Sequence, residues 1–214
     1  MLALTLDLSR LRLALIGGGT AARRRLERLD AAGAAALTVY APRPGRAFAA
    51  AAGARLVRRI PSAGDLAGIQ VVFVAGLAAE AAARVAERAR IAGAIVHVED
   101  APAISDAQMP AMLHRGDLAI AISTAGRAPA LAAELKRAIG RILGPEWAAR
   151  VAELGAARER WRTAGLAPDG VRRRTAARLA ARAWLASGTR FEAHWGDGAA
   201  IQAGSRVPQH RTTI

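Results

Sequence analysis

Three consecutive glycines, Gly17-Gly18-Gly19, separate the apolar run Leu13-Ala14-Leu15-Ile16 from an Ala/Arg/Leu segment in which Ala22, Leu26 and Leu29 recur at helical spacing. That order is a strand, a tight turn and the start of a helix. Glycine lets the backbone turn sharply and lets a ligand approach with no Cβ in the way, while the first N–H groups of the new helix carry a partial positive charge. Such a corner suits a pyrophosphate. Against the G-x-G-x-x-G fingerprint of dinucleotide sites the chain has GGGTAA, with Ala22 in the last place. The second group with chemical potential is the acidic pair Glu99-Asp100, which ends another apolar run, Ala94-Ile95-Val96-His97-Val98. In an open α/β sheet, ligands bind beyond the carboxyl ends of the strands, so the glycines and Asp100 are expected along one rim. An acid at a strand end also serves as a turn residue, and Pro102 stiffens the loop that presents this one.

The elements that position these groups alternate. After the first helix, Ala36-Leu37-Thr38-Val39-Tyr40 reads as a second strand closed by Ala41-Pro42, residues 46–52 as a short helix, and residues 55–60 as a weak third strand. A loop over 65–68 precedes residues 69–75, an apolar run of the kind buried on both faces of a parallel sheet. A helix over 78–92 and the strand over 94–98 follow. Strands alternating with helices over 11–98 predict an α/β fold with a doubly wound parallel sheet and right-handed crossovers. Beyond it the spacing predicts one more strand over 117–124 and a helix over 130–143. Arg-rich amphipathic helices marked by Trp147, Val151, Leu154, Trp161, Leu179 and Leu185 come next, interrupted at 164–170, and residues 196–214 lack periodicity.

Composition bounds the partners. The net charge is +14 and Lys136 is the only lysine, so the positive charge is almost all arginine; residues 148–214 alone hold twelve Arg against five acids. Arginine forks suit phosphates and carboxylates, which puts polyanionic small molecules and nucleic acid among the partners to weigh. Three Phe and one Tyr supply few stacking platforms for single strands, and nucleic acid is the weaker expectation. Cysteine is absent, which removes disulfides and thiolate metal sites and fits a cytoplasmic protein. No apolar stretch reaches the ~20 residues of a membrane span. The four histidines, at 97, 114, 194 and 210, are not paired at metal-ligand spacing, so no metal site is expected. At the end of the second strand, where a dinucleotide fold often carries an acid for the ribose hydroxyls, Arg43 and Arg46 follow instead. That leaves the choice between NAD and NADP open.

Three ordered segments carry a resemblance. LALIGGGTAARRRLERLDAAGAAALTVYAP, VHVEDAP and SDAQMPAMLHRGDLAIAISTAGRAPALAAELK resemble, in order and spacing, the precorrin-2 dehydrogenase module of the siroheme synthase family over residues 1–150. The resemblance implies a Rossmann-like domain over 1–111, a dimerisation segment over 112–146 and a helical domain over 147–214, in a homodimer. It implies oxidation of precorrin-2 to sirohydrochlorin with NAD, and in some members insertion of iron as a substrate. Carried over by position, the cofactor contacts fall at Gly17, Gly19, Thr20, Ala21, Pro42 and Arg43, and the catalytic aspartate at Asp100. His97, in the place of a family Asn, and Arg115, Arg127 and Arg137 are the candidates for holding the substrate's acidic rim. The residue types alone favour a partly buried, hydrogen-bonded role for His97. Gly76, Leu77, Ala78 and Ala82 replace polar residues of the family pattern, as do Ala125 to Ala128 in part. A non-catalytic relative that binds a dinucleotide or tetrapyrrole is therefore the alternative.

Overall fold

The computed structural model describes residues 2–184; Leu185, His194, His210 and the stretch 196–214 lie outside the described residues. Two compact units form. Among the described residues, one is built on 2–112 together with Ala121–Leu135, the other on Leu113–Ile120 together with 136–184. The segment expected as a separate piece over 112–146 is thus shared between the two.

The first unit carries a parallel sheet of β1 (Arg12–Gly17), β2 (Ala36–Tyr40), β3 (Leu56–Val57), β4 (Val71–Ala75) and β5 (Ile95–Val98), in the order β3-β2-β1-β4-β5. Between the strands lie α1 (Gly19–Ala31), α2 (Arg46–Ala52), α3 (Ala63–Leu66) and α4 (Ala79–Ile91). Strand residues alternate faces. Leu13, Leu15, Val39, Val71 and Phe73 pack with Ala22, Leu26 and Leu29 of α1 and Phe48 of α2. Ala14, Ile16, Val72, Val74, Val96 and Val98 pack with Leu66 of α3 and Ala82, Val85, Ala86 and Ala89 of α4. Burial on both faces explains the near-continuous apolar runs of β1 and β4, and each fully buried Leu, Ile or Val contributes about 1.5–3 kcal/mol.

Three elements differ from expectation. The loop expected over 65–68 begins as α3, capped by a reciprocal pair in which the Ser62 hydroxyl accepts from the Asp65 N–H and Asp65 accepts from the Ser62 N–H. The third strand shrinks to two residues at the sheet edge. A strand not expected, β6 (Ala111–Arg115), pairs with β7 (Leu118–Ile122). Then follow α5 (Pro129–Ile142), α6 (Trp147–Thr163) and α7 (Pro168–Arg182).

In the second unit Glu153 of α6 accepts from Arg178 at 2.7 Å and from Arg182 at 2.6 Å, and both arginines hold its carboxyl below the usual range. Arg150 lies 5.0 Å from the Trp147 ring and 5.6 Å from that of Trp184. Part of the arginine excess therefore packs α6 on α7. No described helix is long and apolar enough to cross a membrane.

Candidate functional site

The strand order reverses between β1 and β4, and the loops leaving these two strands build one side of the site. Gly17 has φ 138°, and a Cβ there would lie 1.8 Å from the Ala75 carbonyl oxygen. Gly76, at φ 70°, would place a Cβ 2.1 Å from the Gly18 oxygen. The two turns lock backbone to backbone, tied by the Gly18 N–H donating to Ala75 O at 3.1 Å. Gly17 is thus buried for packing, and the sequence signal for Gly76, a glycine directly after a buried strand, has the same cause. Above the lock the space is open: a Cβ on Gly18 or Gly19 would meet nothing within 4 Å. Gly18 caps α1 without any side-chain hydrogen bond, which leaves the first-turn N–H groups of Gly19, Thr20 and Ala21 to a ligand or water. A backbone cradle at a helix N-terminus, free of Cβ atoms, fits a dinucleotide's pyrophosphate.

At the end of β2, Pro42 and Arg43 are exposed and Tyr40 is buried, with the Arg59 guanidinium 5.9 Å from its ring. Asp65, the acid closest in the chain to β3, is engaged by Arg59 and Ser62, which hold its carboxyl well below the usual carboxylate range. Burial pushes the Tyr40 hydroxyl up.

The other side of the site is the loop after β5, next to β4 and so about 10 Å from β1 at two strand spacings. Asp100 is exposed, with φ 57° in the left-handed region that Asp tolerates better than most residues. The loop is pinned from outside by Ser105 and Asp106. The Asp106 carboxylate accepts from the Val96 N–H at 3.0 Å and from Arg90 at 2.8 Å, and the Asp106 N–H donates to Val96 O at 2.8 Å. The Ser105 hydroxyl accepts from the Val98 N–H at 2.9 Å and faces the Val98 and Ala101 oxygens at 3.2 and 2.9 Å.

The residues just before Asp100 in the chain belong to a polar group built on a buried arginine. Arg25 of α1 is 2% exposed and donates through Nε and Nη2 to one Glu99 oxygen, the Nε contact at 3.1 Å. Nη2 also meets His97 Nε2 at 3.1 Å, and the guanidinium lies 5.7 Å from the Phe73 centroid. His97, 8% exposed, places Nδ1 3.0 Å from the Ala107 oxygen. A carbonyl only accepts, so Nδ1 carries the proton and Nε2 accepts from Arg25, the neutral tautomer. Burial, followed by the Arg25 charge, pushes the imidazole pKa down, in keeping with that state. Removing Glu99 would leave a buried cation, at a cost of about 3–5 kcal/mol.

This geometry sorts the expected substrate contacts. His97 turns inward with both nitrogens engaged, in the buried, hydrogen-bonded role weighed for it. Arg115 donates to the carbonyls of Leu143, Gly140 and its neighbour His114, closing the end of α5 within the second unit. Arg127 is exposed in the turn before α5, where Gly126 packs on Pro102 and Gln108 of the Asp100 loop. Arg137 lies in the second unit. Arg25 and its pairing with Glu99 were not expected. The available signal was helical phase: Arg25 stands three residues after Ala22 and four before Leu29, on the apolar stripe. Among the described residues no group of His, Asp and Glu could hold a metal ion.

Known proteins share this architecture. Residues 4–111 match the family model described as "Putative NAD(P)-binding", and residues 115–142 match that of the sirohaem biosynthesis protein central segment. The chain is 36% identical over 160 residues to a siroheme synthase of Ectopseudomonas mendocina (strain ymp), an alignment covering 74% of this chain and 34% of that protein. It is 37% identical over 166 residues to a siroheme synthase of Pseudomonas putida (strain W619), covering 76% and 35%. The chain thus spans about a third of the length of these curated relatives. Among solved structures, SirC, a precorrin-2 dehydrogenase, superposes with a TM-score of 0.70 at 24% identity over 87% of this chain and 94% of that one, which shows a shared fold.

Proposed function

The chain belongs to the NAD(P)-binding family matched over residues 4–111, joined to the sirohaem central segment, and on that premise we propose that it is a precorrin-2 dehydrogenase that yields sirohydrochlorin. The observation that carries the reading is an open glycine cradle and an exposed carboxylate, on a loop residue in left-handed backbone conformation, at the same end of one parallel sheet. Thr20 and Ala21, with Gly19, would hold the pyrophosphate through backbone N–H groups, and Pro42 and Arg43 would border the adenosine end. A nicotinamide held there would supply the acceptor for the departing hydride. Asp100 takes the proton that leaves with it, an exposed carboxylate able to pass that proton on to water. Arg127, exposed beside the same loop, faces the substrate's carboxylate rim. NAD is the acceptor we assign, acting in a cytoplasmic homodimer; kcat/KM with NAD against NADP checks the first and sedimentation the dimer.

The test is direct. Protein mixed with precorrin-2 and NAD develops sirohydrochlorin absorbance, and Asp100→Ala lowers kcat about a thousandfold while the melting curve is kept. Full activity in that variant removes Asp100 from the mechanism. One observation favours a second reading, a binding protein without turnover: Ala78 caps α4 with no side-chain hydrogen bond, and Gly76 and Leu77 beside it offer no polar side chain to a ligand. Tight NAD or sirohydrochlorin binding with no product formed would decide for it.

A further inference from the structure

A proton acceptor works only at a set place, yet Asp100 is exposed and in a left-handed conformation. Ser105 and Asp106 hold its loop from the sheet edge. On the side facing α1, the adjoining Glu99 is bound by Arg25. Arg25 lies six residues past Gly19 on the helix whose N-terminus forms the glycine cradle, about 9 Å along its axis. Its guanidinium is fixed on several sides, by Glu99, by His97 and by the Phe73 ring.

We propose that Arg25 is a positioning residue for the reaction: acting through Glu99, it sets where the Asp100 carboxylate stands relative to the cradle at the head of α1. This rests on the dehydrogenase reading. A second observation separates it from plain packing. The Arg25 Nη1 is buried with no hydrogen-bond partner. An apolar side chain would fill the same space without an unsatisfied donor, so stability alone is a poor reason for a guanidinium there. Its planar fork instead fixes direction, since two donors meet one Glu99 oxygen while one of them also reaches His97.

The experiment compares Glu99→Gln, Arg25→Lys and the apolar double variant Arg25→Met/Glu99→Val with the wild-type full chain. The readouts are kcat and KM with precorrin-2 and NAD, NAD affinity by titration, thermal melting, and amide hydrogen exchange at Asp100 and Ala101. Glu99→Gln is expected to melt cooperatively and bind NAD nearly as the wild type does, while kcat falls about tenfold to a hundredfold, the cost of a misplaced group. Arg25→Lys is expected to keep more kcat than the double variant, and the double variant to lose no more than its Arg25→Met and Glu99→Val components that fold. Exchange at Asp100 and Ala101 rises in each. Wild-type kcat and unchanged exchange in Glu99→Gln and Arg25→Lys overturn the proposal, as do kcat losses that match the unfolded fraction. If the wild type itself never turns over precorrin-2, the dehydrogenase reading fails, and the exchange comparison still decides whether Arg25 holds the loop.

Discussion

The two halves of the rim are built by different means. The β1–α1 corner is backbone held against backbone, with Gly17 on Ala75 and Gly76 on Gly18. The β5 loop is backbone held by side chains, with Ser105 and Asp106 on one flank and Arg25 on the other. The first tolerates no added atom at Gly17 or Gly76; the second tolerates change at a graded cost. The glycine corner is thus fixed by residues with no side chain, and the loop that carries Asp100 by the side chains of Ser105, Asp106 and Arg25.

The sharpest way to break the contrast is Gly17→Ala. Its Cβ would sit 1.8 Å from a carbonyl oxygen that belongs to the sheet. Loss of more than about 4 kcal/mol, or no folded protein, is expected in denaturant melts. A fully stable variant would show that the turns are not locked. Asp106→Ala comes next. It strips the Val96 N–H and Arg90 of an acceptor and should cost about 2 kcal/mol by the same measurement. A loss as large as that of Gly17→Ala would erase the difference between the two flanks.

The smallest effect is pH. Because the imidazole of His97 has a lowered pKa in the fold, the unfolded chain binds more protons than the folded one between that value and about 6.5. Stability is therefore complete above about pH 6.5 and declines as pH falls through that window. The lowered carboxyls of Asp7, Asp65 and Glu153 act only in more acid solution, below their ordinary values. Urea midpoints at pH 7.5 and 5.5 should differ in the wild type and much less in His97→Asn. Equal slopes in the two proteins would count against a buried neutral imidazole.

The contrast also explains what could be seen in the chain beforehand. The glycine turn, the alternation of strands and helices, and the sheet's apolar runs follow from local residue types and periods, and the parallel sheet forms as expected. Asp100 sits at a strand end, where topology alone points to a rim. Arg25 was hidden because it is one of three consecutive arginines, and only its helical phase marks it apart from Arg23 and Arg24. Its partner is 74 residues away, a distance no local pattern spans. The capping box Ser62-Ala63-Gly64-Asp65 was present to be read, but the helix it starts has four residues, too few to show a period. β6 escaped because Pro110 precedes it and its apolar residues face only one neighbour.

A last consequence belongs to the border of the sheet at β5. The amide and carbonyl groups of Val96 and Val98 that point away from β4 are all taken by residues 101 to 107 of the same chain. A bare border of this kind would invite a foreign polypeptide to add itself as a further strand. Here the invitation is withdrawn by two small polar residues, so the segment that closes the sheet against unwanted company continues directly from Asp100.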